Sequence, residues 1–299
     1  MRILVTGASG QLGAYLLREL RRRGFEPAAW SGAQTGELFG CRLEPVNLAD
    51  ADAVCRAFAS DAPDVVLHAA AMARIADCYR DAATARRVNF EAIAQLNDLC
   101  VAAGVRLVYV STDLVFDGRR GNYREDDAAK PVSVYGRTKL AAEQVVLSSP
   151  AGLVLRASLL YGPSLTGRSA FFDEQIAAIV GRRPVKLFID EWRTPLDLPT
   201  AAAALVTLAL SDRAGLFHIG GPQRLSRWQM GQEIAVFLGA GGAMITAARQ
   251  ADVPTPEPRP CDVSLDCSKW RAAFPNEQWP TMREALPQMN AAGLFSHQP

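Results

Sequence analysis

The stretch Arg2-Ile3-Leu4-Val5-Thr6-Gly7-Ala8-Ser9-Gly10-Gln11-Leu12-Gly13 decides the fold. Residues 2–6 are a short apolar run with no amphipathic alternation, which reads as a strand buried on both faces. Residues 11–23 then place Leu12, Leu16, Leu17 and Leu20 at helical spacing, and Gly24 stops the run. Glycines at 7, 10 and 13 join the two elements. The first permits the tight turn, the second lets a pyrophosphate approach the backbone, and the third lets the helix pack close on the strand. Unpaired N–H groups at a helix start, together with the helix dipole, hold phosphates. The stretch therefore predicts a dinucleotide cradle.

Outward from it, strand and helix patterns alternate. Strands are expected at residues 26–30, 42–46, 64–68, 105–110 and 153–156. Helices are expected at 50–60, at 81–103 up to Gly104, and at 133–149. The two central runs, 64–68 and 105–110, are apolar almost throughout, as in a parallel sheet covered by helices on both faces. The expected class is α/β, a Rossmann-type doubly wound parallel sheet. Beyond residue 157 the pattern is irregular, with helices expected at 168–180, 200–210, 227–238 and 281–291 and short strands at 185–187 and 216–218. Residues 253–260, Val-Pro-Thr-Pro-Glu-Pro-Arg-Pro, must be extended and read as a surface connector. The expected organisation is a dinucleotide-binding domain over 1–157, to which some later segments return, and a smaller lobe for substrate over most of 158–299.

Composition narrows the function classes. The chain has 299 residues, with 32 Lys plus Arg against 31 Asp plus Glu, so its net charge of +1 supplies no field for nucleic acid or an anionic membrane. A chain of this length buries roughly three quarters of its unfolded surface, enough for a sizeable core. No run of about 18 uncharged apolar residues suggests a membrane span, and no signal peptide is read at the N-terminus. A cytoplasmic location is expected. The six cysteines form no Cys-x-x-Cys pair, and His68, His218 and His297 are far apart, so neither a metal site nor a disulfide framework is expected.

The chemistry concentrates in two places. Tyr135-Gly136-Arg137-Thr138-Lys139 sets a phenol and an ammonium four residues apart, on one face of a helix. A tyrosine of ordinary pKa near ~10 is a poor acid–base group at neutral pH, and a nearby ammonium is expected to lower it. Such a phenol can give a proton to the alkoxide that forms when a hydride reaches a carbonyl. The expected strand 105–110 runs into Ser111-Thr112-Asp113, which puts a hydroxyl at the carboxyl end of a central strand, where open α/β sheets hold ligands. The second strand ends Trp30-Ser31-Gly32 with no acid before Glu37. A 2′-phosphate would meet no carboxylate there and could take a hydrogen bond from Ser31, which favours NADP(H) and leaves NAD(H) open. Arg193 could bind a substrate phosphate or make a surface salt bridge. His68 reads as structural or cofactor-lining.

With His68-Ala69-Ala70-Ala71, Val88-Asn89, Leu155-Arg156, Arg259-Pro260 and Ser264-Leu265-Asp266, these motifs resemble the extended short-chain dehydrogenase/reductase family over nearly the whole chain. Within it they look most like the reductases of dTDP-linked 4-keto sugars. The resemblance implies an NAD(P)H-dependent reductase of a nucleotide-linked 4-keto sugar, with Thr112, Tyr135 and Lys139 catalytic. It implies that Gly7, Ser9, Gly10, Gln11, Leu12 and Gly13 wrap the pyrophosphate. Asn47 and Leu48 would meet adenine, Asn47 standing in place of the usual Asp. Ala69, Ala70 and Ala71 would line the cofactor, which Tyr135 and Lys139 also touch. Asn89 would support the site, and Thr112, Asp113 and Arg193 would face substrate. The C-terminal lobe would cover the sugar, in a monomer or homodimer.

Two residues depart from that branch: Leu114 where it has Tyr, and Leu159 where it has Trp. Leu114 also occupies the place of the glutamate of the related 4,6-dehydratases and cannot act as a base. The alternatives left open are another keto-sugar reductase or epimerase of the family, and an NADP-binding regulatory subunit without catalysis.

Overall fold

The computed structural model describes residues 1–241 and 244–295; His297 lies outside them. The glycine stretch folds as its spacing requires. Strand β1 (Ile3–Thr6) is buried throughout and passes through the turn into α1 (Gln11–Arg22), whose Leu16, Leu17 and Leu20 are buried. Gly7 sits at φ +67°, and a Cβ there would lie 2.7 Å from the Ala70 backbone. A Cβ on Gly13 would lie 2.1 Å from the Gly7 carbonyl oxygen, so helix and strand meet only because both positions lack one.

Strands β2 (Ala28–Ser31), β3 (Gly36–Leu38), β4 (Cys41–Pro45), β5 (Val65–His68), β6 (Arg106–Thr112), β7 (Leu153–Ala157) and β8 (Gly215–Ile219) complete one sheet in the order β8-β7-β6-β5-β1-β2-β4-β3. All neighbours are parallel except β3, which pairs antiparallel with β4 at the edge. The chain leaves β1 toward β2 and returns on its other side through β5, so the strand order reverses between β1 and β5. Ligands of open α/β sheets sit outside the carboxyl ends of the strands at such a reversal.

Two apolar layers cover the sheet. On one face Leu4, Val66, Tyr109 and Val154 pack with Val54 and Phe58 of α2 (Ala51–Asp61) and with Ile93 and Leu96. On the other, Val5, Leu67, Val108 and Leu155 join one large core with α1 and the second lobe. That core takes in a helix beyond residue 157, Leu198–Leu210, which packs along α1, so this segment and β8 both belong to the sheet layers.

The continuous helix expected over 81–103 is interrupted. Helix α3 (Ile75–Arg80) precedes α4 (Ala82–Arg86), capped by the Asp81 carboxylate. A π turn over Arg87–Glu91 then leads into α5 (Ala92–Ala103). The wider turn places Asn89 inside, where its amide accepts from the Met72 N–H at 2.8 Å and donates to the Met72 carbonyl at 3.1 Å and the Thr138 hydroxyl at 3.2 Å. A regular helix gives an asparagine no reason to be there; these partners do.

Beyond residue 157 the chain also makes three short pairings, and of their strands only the one at 185–187 is expected from the sequence. Val185–Phe188 pairs with Ile245–Ala248, Trp192–Arg193 with Leu225–Ser226, and Leu160–Tyr161 with Leu196–Asp197. The proline-rich segment is not a bare surface connector. Its Glu257 is buried and accepts from the Val134 N–H at 2.7 Å. Among the described residues, no helix is long and apolar enough to cross a membrane.

Candidate active site

Helix α6 (Val134–Leu147) begins under the cap of Ser133, whose Oγ accepts from the Gly136 N–H at 3.1 Å. A Cβ on Gly136 would stand 2.3 Å from the Leu114 carbonyl oxygen. The bare glycine therefore lets the helix start press on the turn after β6, and this brings Tyr135 to Thr112. Tyr135, Thr138 and Lys139 face inward and are buried, while Arg137 faces out. Thr112 ends β6 with its hydroxyl toward Tyr135 and accepts from the Leu114 N–H at 3.2 Å.

The electrostatics differ from the expectation. Burial pushes the Tyr135 phenol well above its ordinary pKa, the Asp113 carboxylate adds to this, and the Thr112 hydroxyl offsets a little. Lys139 gives the phenol no relief. Burial drives its own pKa down to about 7 against the pull of Glu143. Its Nζ donates to the Val110 carbonyl at 2.7 Å and lies 4.1 Å from the centre of the Tyr109 ring. Desolvation wins because all these groups lie under the sheet end, away from water. A protonated phenol is the form that delivers a proton to an alkoxide.

At the same carboxyl end of the sheet a groove of about 300 Å³ runs from the glycine turn to the end of β2, and Thr112, Tyr135 and Lys139 are not among the residues that line it. Gly7, Ser9, Gly10, Ser31, Asn47, Leu48, Ala69, Ala70 and Ala71 line it, with Val88 and Arg168. Gln11, Leu12 and Gly13 lie beyond it in the first turn of α1, and the Gln11 amide donates to the Gly162 carbonyl at 3.0 Å. No side chain caps α1, so its first N–H groups are left to whatever the groove holds. A glycine-lined cradle at an uncapped helix start fits a dinucleotide pyrophosphate.

At this groove one expectation, for Ser31, needs correction, and of the two readings left open for His68 the structural one holds. The Ser31 hydroxyl turns inward to the carbonyls of Gln34 and Glu44, and a hydroxyl has one proton to give, so it is not a donor to the groove. His68 contacts the Thr6 hydroxyl at 2.9 Å, and burial with the Lys139 charge lowers its pKa to about 3. It is a neutral structural ring beneath the groove.

A second cavity of about 640 Å³ opens on the other side, between α3, the start of α6 and the proline-rich segment. Cations gather there: Arg80, Lys186, Arg193, Arg227 and Arg259. Arg193 is not at the surface. It is buried, with Nε 3.7 Å from Asp113 and Nη2 3.3 Å from Glu191. The guanidiniums of Arg193, Arg227 and Arg259 around Glu191 outweigh its burial and hold its pKa below the ordinary value. Asp113 also accepts from the Ser158 hydroxyl at 3.0 Å, and burial raises its pKa. Thr112, Tyr135 and Lys139 do not line this cavity; Ser133 and Arg193 connect it to them. Leu114 and Leu159 pack into the apolar core.

Sequence reasoning missed Arg168, Glu257 and the Glu143–Arg156 pair. The pair had a signal. Glu143 lies four residues past Lys139 on the buried face, and Arg156 stands inside an apolar strand, so each needed a partner. Arg168 had none, being far along the chain from the rest of the groove.

A family model described as the RmlD substrate binding domain matches residues 1–294. The chain belongs to this family. The RmlD-type domain is a form of the extended short-chain dehydrogenase/reductase fold, as the motifs implied. The dTDP-4-dehydrorhamnose reductase of Streptomyces griseus is 34% identical over 280 residues, covering 91% of this chain and 88% of that one. The methionine adenosyltransferase 2 subunit beta of Bos taurus is 29% identical over 282 residues, covering 90% and 81%. The crystal structure of a hypothetical dTDP-4-dehydrorhamnose reductase from Sulfolobus tokodaii superposes with a TM-score of 0.82 at 28% identity, covering 94% of this chain and 97% of that one.

Proposed function

We propose that this RmlD-type chain is an NADPH-dependent reductase of a 4-keto sugar carried on a nucleoside diphosphate. One observation carries the reading: a buried phenol with the Thr112 hydroxyl on it, and an amine on the same helix face, lie at the carboxyl end of the sheet where a glycine-lined groove also opens. The similarity to a dTDP-4-dehydrorhamnose reductase supports it.

The groove would hold the cofactor through the backbone of Gly7, Ser9 and Gly10 and the start of α1, with Ala69, Ala70 and Ala71 along its length. A dihydronicotinamide bound there supplies the hydride. Thr112 orients the sugar carbonyl, and Tyr135, protonated at neutral pH, passes its proton to the nascent alkoxide. Lys139, at neutral pH only partly protonated, would be the residue on this helix face to hold the nicotinamide ribose, and in its charged form, reprotonated from solvent, would return a proton to the phenolate. Five cations against two carboxylates, Glu191 and Glu257, leave the larger cavity an excess of positive charge for a diphosphate.

Turnover is followed as loss of NADPH absorbance with dTDP-linked 4-keto sugars. Tyr135→Phe is expected to lower the rate by about 10²–10⁴-fold with cofactor affinity retained. A variant that keeps more than a tenth of the rate refutes the assignment. The likeness to the methionine adenosyltransferase subunit favours a second reading, a cofactor-binding subunit of another enzyme. A stoichiometric complex without turnover on any keto sugar would establish that one.

A further inference from the structure

Arg168 belongs to neither the glycine turn nor the second strand, yet it lines the nucleotide groove with Ser9, Trp30, Ser31 and Gly32. It arrives from the opposite lobe. The segment that carries it leaves the sheet layer at Gly162, whose carbonyl accepts from Gln11 at 3.0 Å, and at Pro163, whose carbonyl accepts from the Tyr15 hydroxyl at 2.8 Å. The Asp173 carboxylate then closes it into a loop, accepting from the Ser164 N–H and the Ala170 N–H, both at 2.9 Å. Between those two anchors Gly167 takes φ +70°, and Arg168 next to it reaches the groove.

The guanidinium is held where it arrives. With the Gln34 amide oxygen facing it, Gln34 accepts from Arg168 Nη2 at 3.0 Å and Nε at 3.2 Å, and its NH2 group donates to Ser9 Oγ at 3.3 Å. Gln34 follows β2, where an adenosine ribose rests in this fold. Two of the five N–H donors of the guanidinium are used in this way, and three remain for a ligand. Arg168 is the one ionised side chain among the residues lining the groove, and none of them is a carboxylate. The Ser31 hydroxyl is turned away.

We infer that Arg168 is the cofactor-selecting residue: the opposite lobe lends the groove a guanidinium that binds the 2′-phosphate of NADPH, a role usually met at the end of the second strand. The inference rests on the reductase reading above. It gives the 2′-phosphate a planar, charge-assisted donor set held in place before the ligand arrives. It also makes cofactor affinity depend on the closure of a loop that continues into the second lobe.

The test is binding of NADPH, NADH, 2′,5′-ADP and 5′-ADP to the full chain without substrate, read by nucleotide or tryptophan fluorescence and by competition. The exposed Arg168 side chain is replaceable without disturbing the core. Arg168→Ala is expected to weaken NADPH and 2′,5′-ADP by at least about tenfold and to leave NADH and 5′-ADP within about twofold. Arg168→Lys should recover part of that loss, and Gln34→Leu should show a smaller loss of the same kind. Equal losses for all four ligands would mean that Arg168 grips the pyrophosphate, and unchanged affinities would mean that it grips nothing; either overturns the inference alone. A wild-type chain that binds neither dinucleotide overturns the reductase reading itself.

Discussion

Lys139 carries the most consequential side-chain environment in the molecule. The sequence marks it by its four-residue spacing from Tyr135 and leads one to expect a charged lysine lowering a phenol. The fold instead buries both, and burial acts on them in opposite directions: the phenol keeps its proton and the amine tends to lose one. The sign of a stability effect follows. An unfolded lysine holds its proton up to about pH 10.4, whereas in the folded chain it titrates at about 7. Between those values the unfolded chain binds more protons, so this residue's contribution to stability grows as pH rises. The difference in unfolding free energy between wild type and Lys139→Met should therefore climb from pH 7 to 9, by up to about 1.4 kcal/mol per pH unit. Urea denaturation across that range measures it, and a pH-independent difference would show that the amine stays charged when folded.

Helix α6 is the element that assembles the site, and three contacts set its position. Ser133 caps its start, Asn89 of the π turn holds Thr138, and Glu143 is clamped from the sheet. Arg156 of β7 grips that carboxylate with Nε at 3.0 Å and Nη2 at 2.7 Å, and the Ser111 hydroxyl of β6 donates to it as well. Both ions are almost wholly enclosed. Removing one charge of such a pair strands the other, at a cost of about 3–5 kcal/mol. Glu143→Gln should lose stability on that scale in denaturant titration, and turnover with it, because Tyr135 and Lys139 ride on the same helix. A loss below about 1 kcal/mol would show that the clamp does little. Apolar spacing announced this helix, and the Tyr-to-Lys spacing announced its working face. The π turn left no trace in the sequence pattern, since its asparagine is explained only by Met72 and Thr138, which the chain brings there from elsewhere.

At the scale of the whole molecule, two buried rings among the described residues add to its acid sensitivity. His68 ends β5 and His218 lies in β8, and burial lowers both to about 3, with Lys139 and Arg156 respectively as the nearby cations. His218 donates Nδ1–H to the Tyr123 carbonyl at 3.2 Å, which leaves Nε2 to face Arg156 at 3.4 Å. Unfolded histidines take up protons below about pH 6.5 and these two do not, so stability present above that pH is lost as it falls toward 3. Each ring contributes up to about 1.4 kcal/mol per pH unit. His218→Asn should flatten the fall in denaturation midpoint between pH 6.5 and 4.5; an unchanged slope would place the acid sensitivity elsewhere.

The sequence by itself determined the fold class and marked the glycine cradle and the side chains proposed as catalytic. These rest on short-range rules: a strand, a glycine turn and a helix within a dozen residues, and a phenol and an amine one helical turn apart. Tertiary structure alone decided the charge states, because desolvation depends on what covers a group. It alone turned Ser31 inward, drew Arg193 into a buried ion network and made the proline-rich segment a cavity wall. It alone carried Arg168 across to the groove, since a loop pinned at its ends delivers its tip to a place that no spacing along the chain encodes.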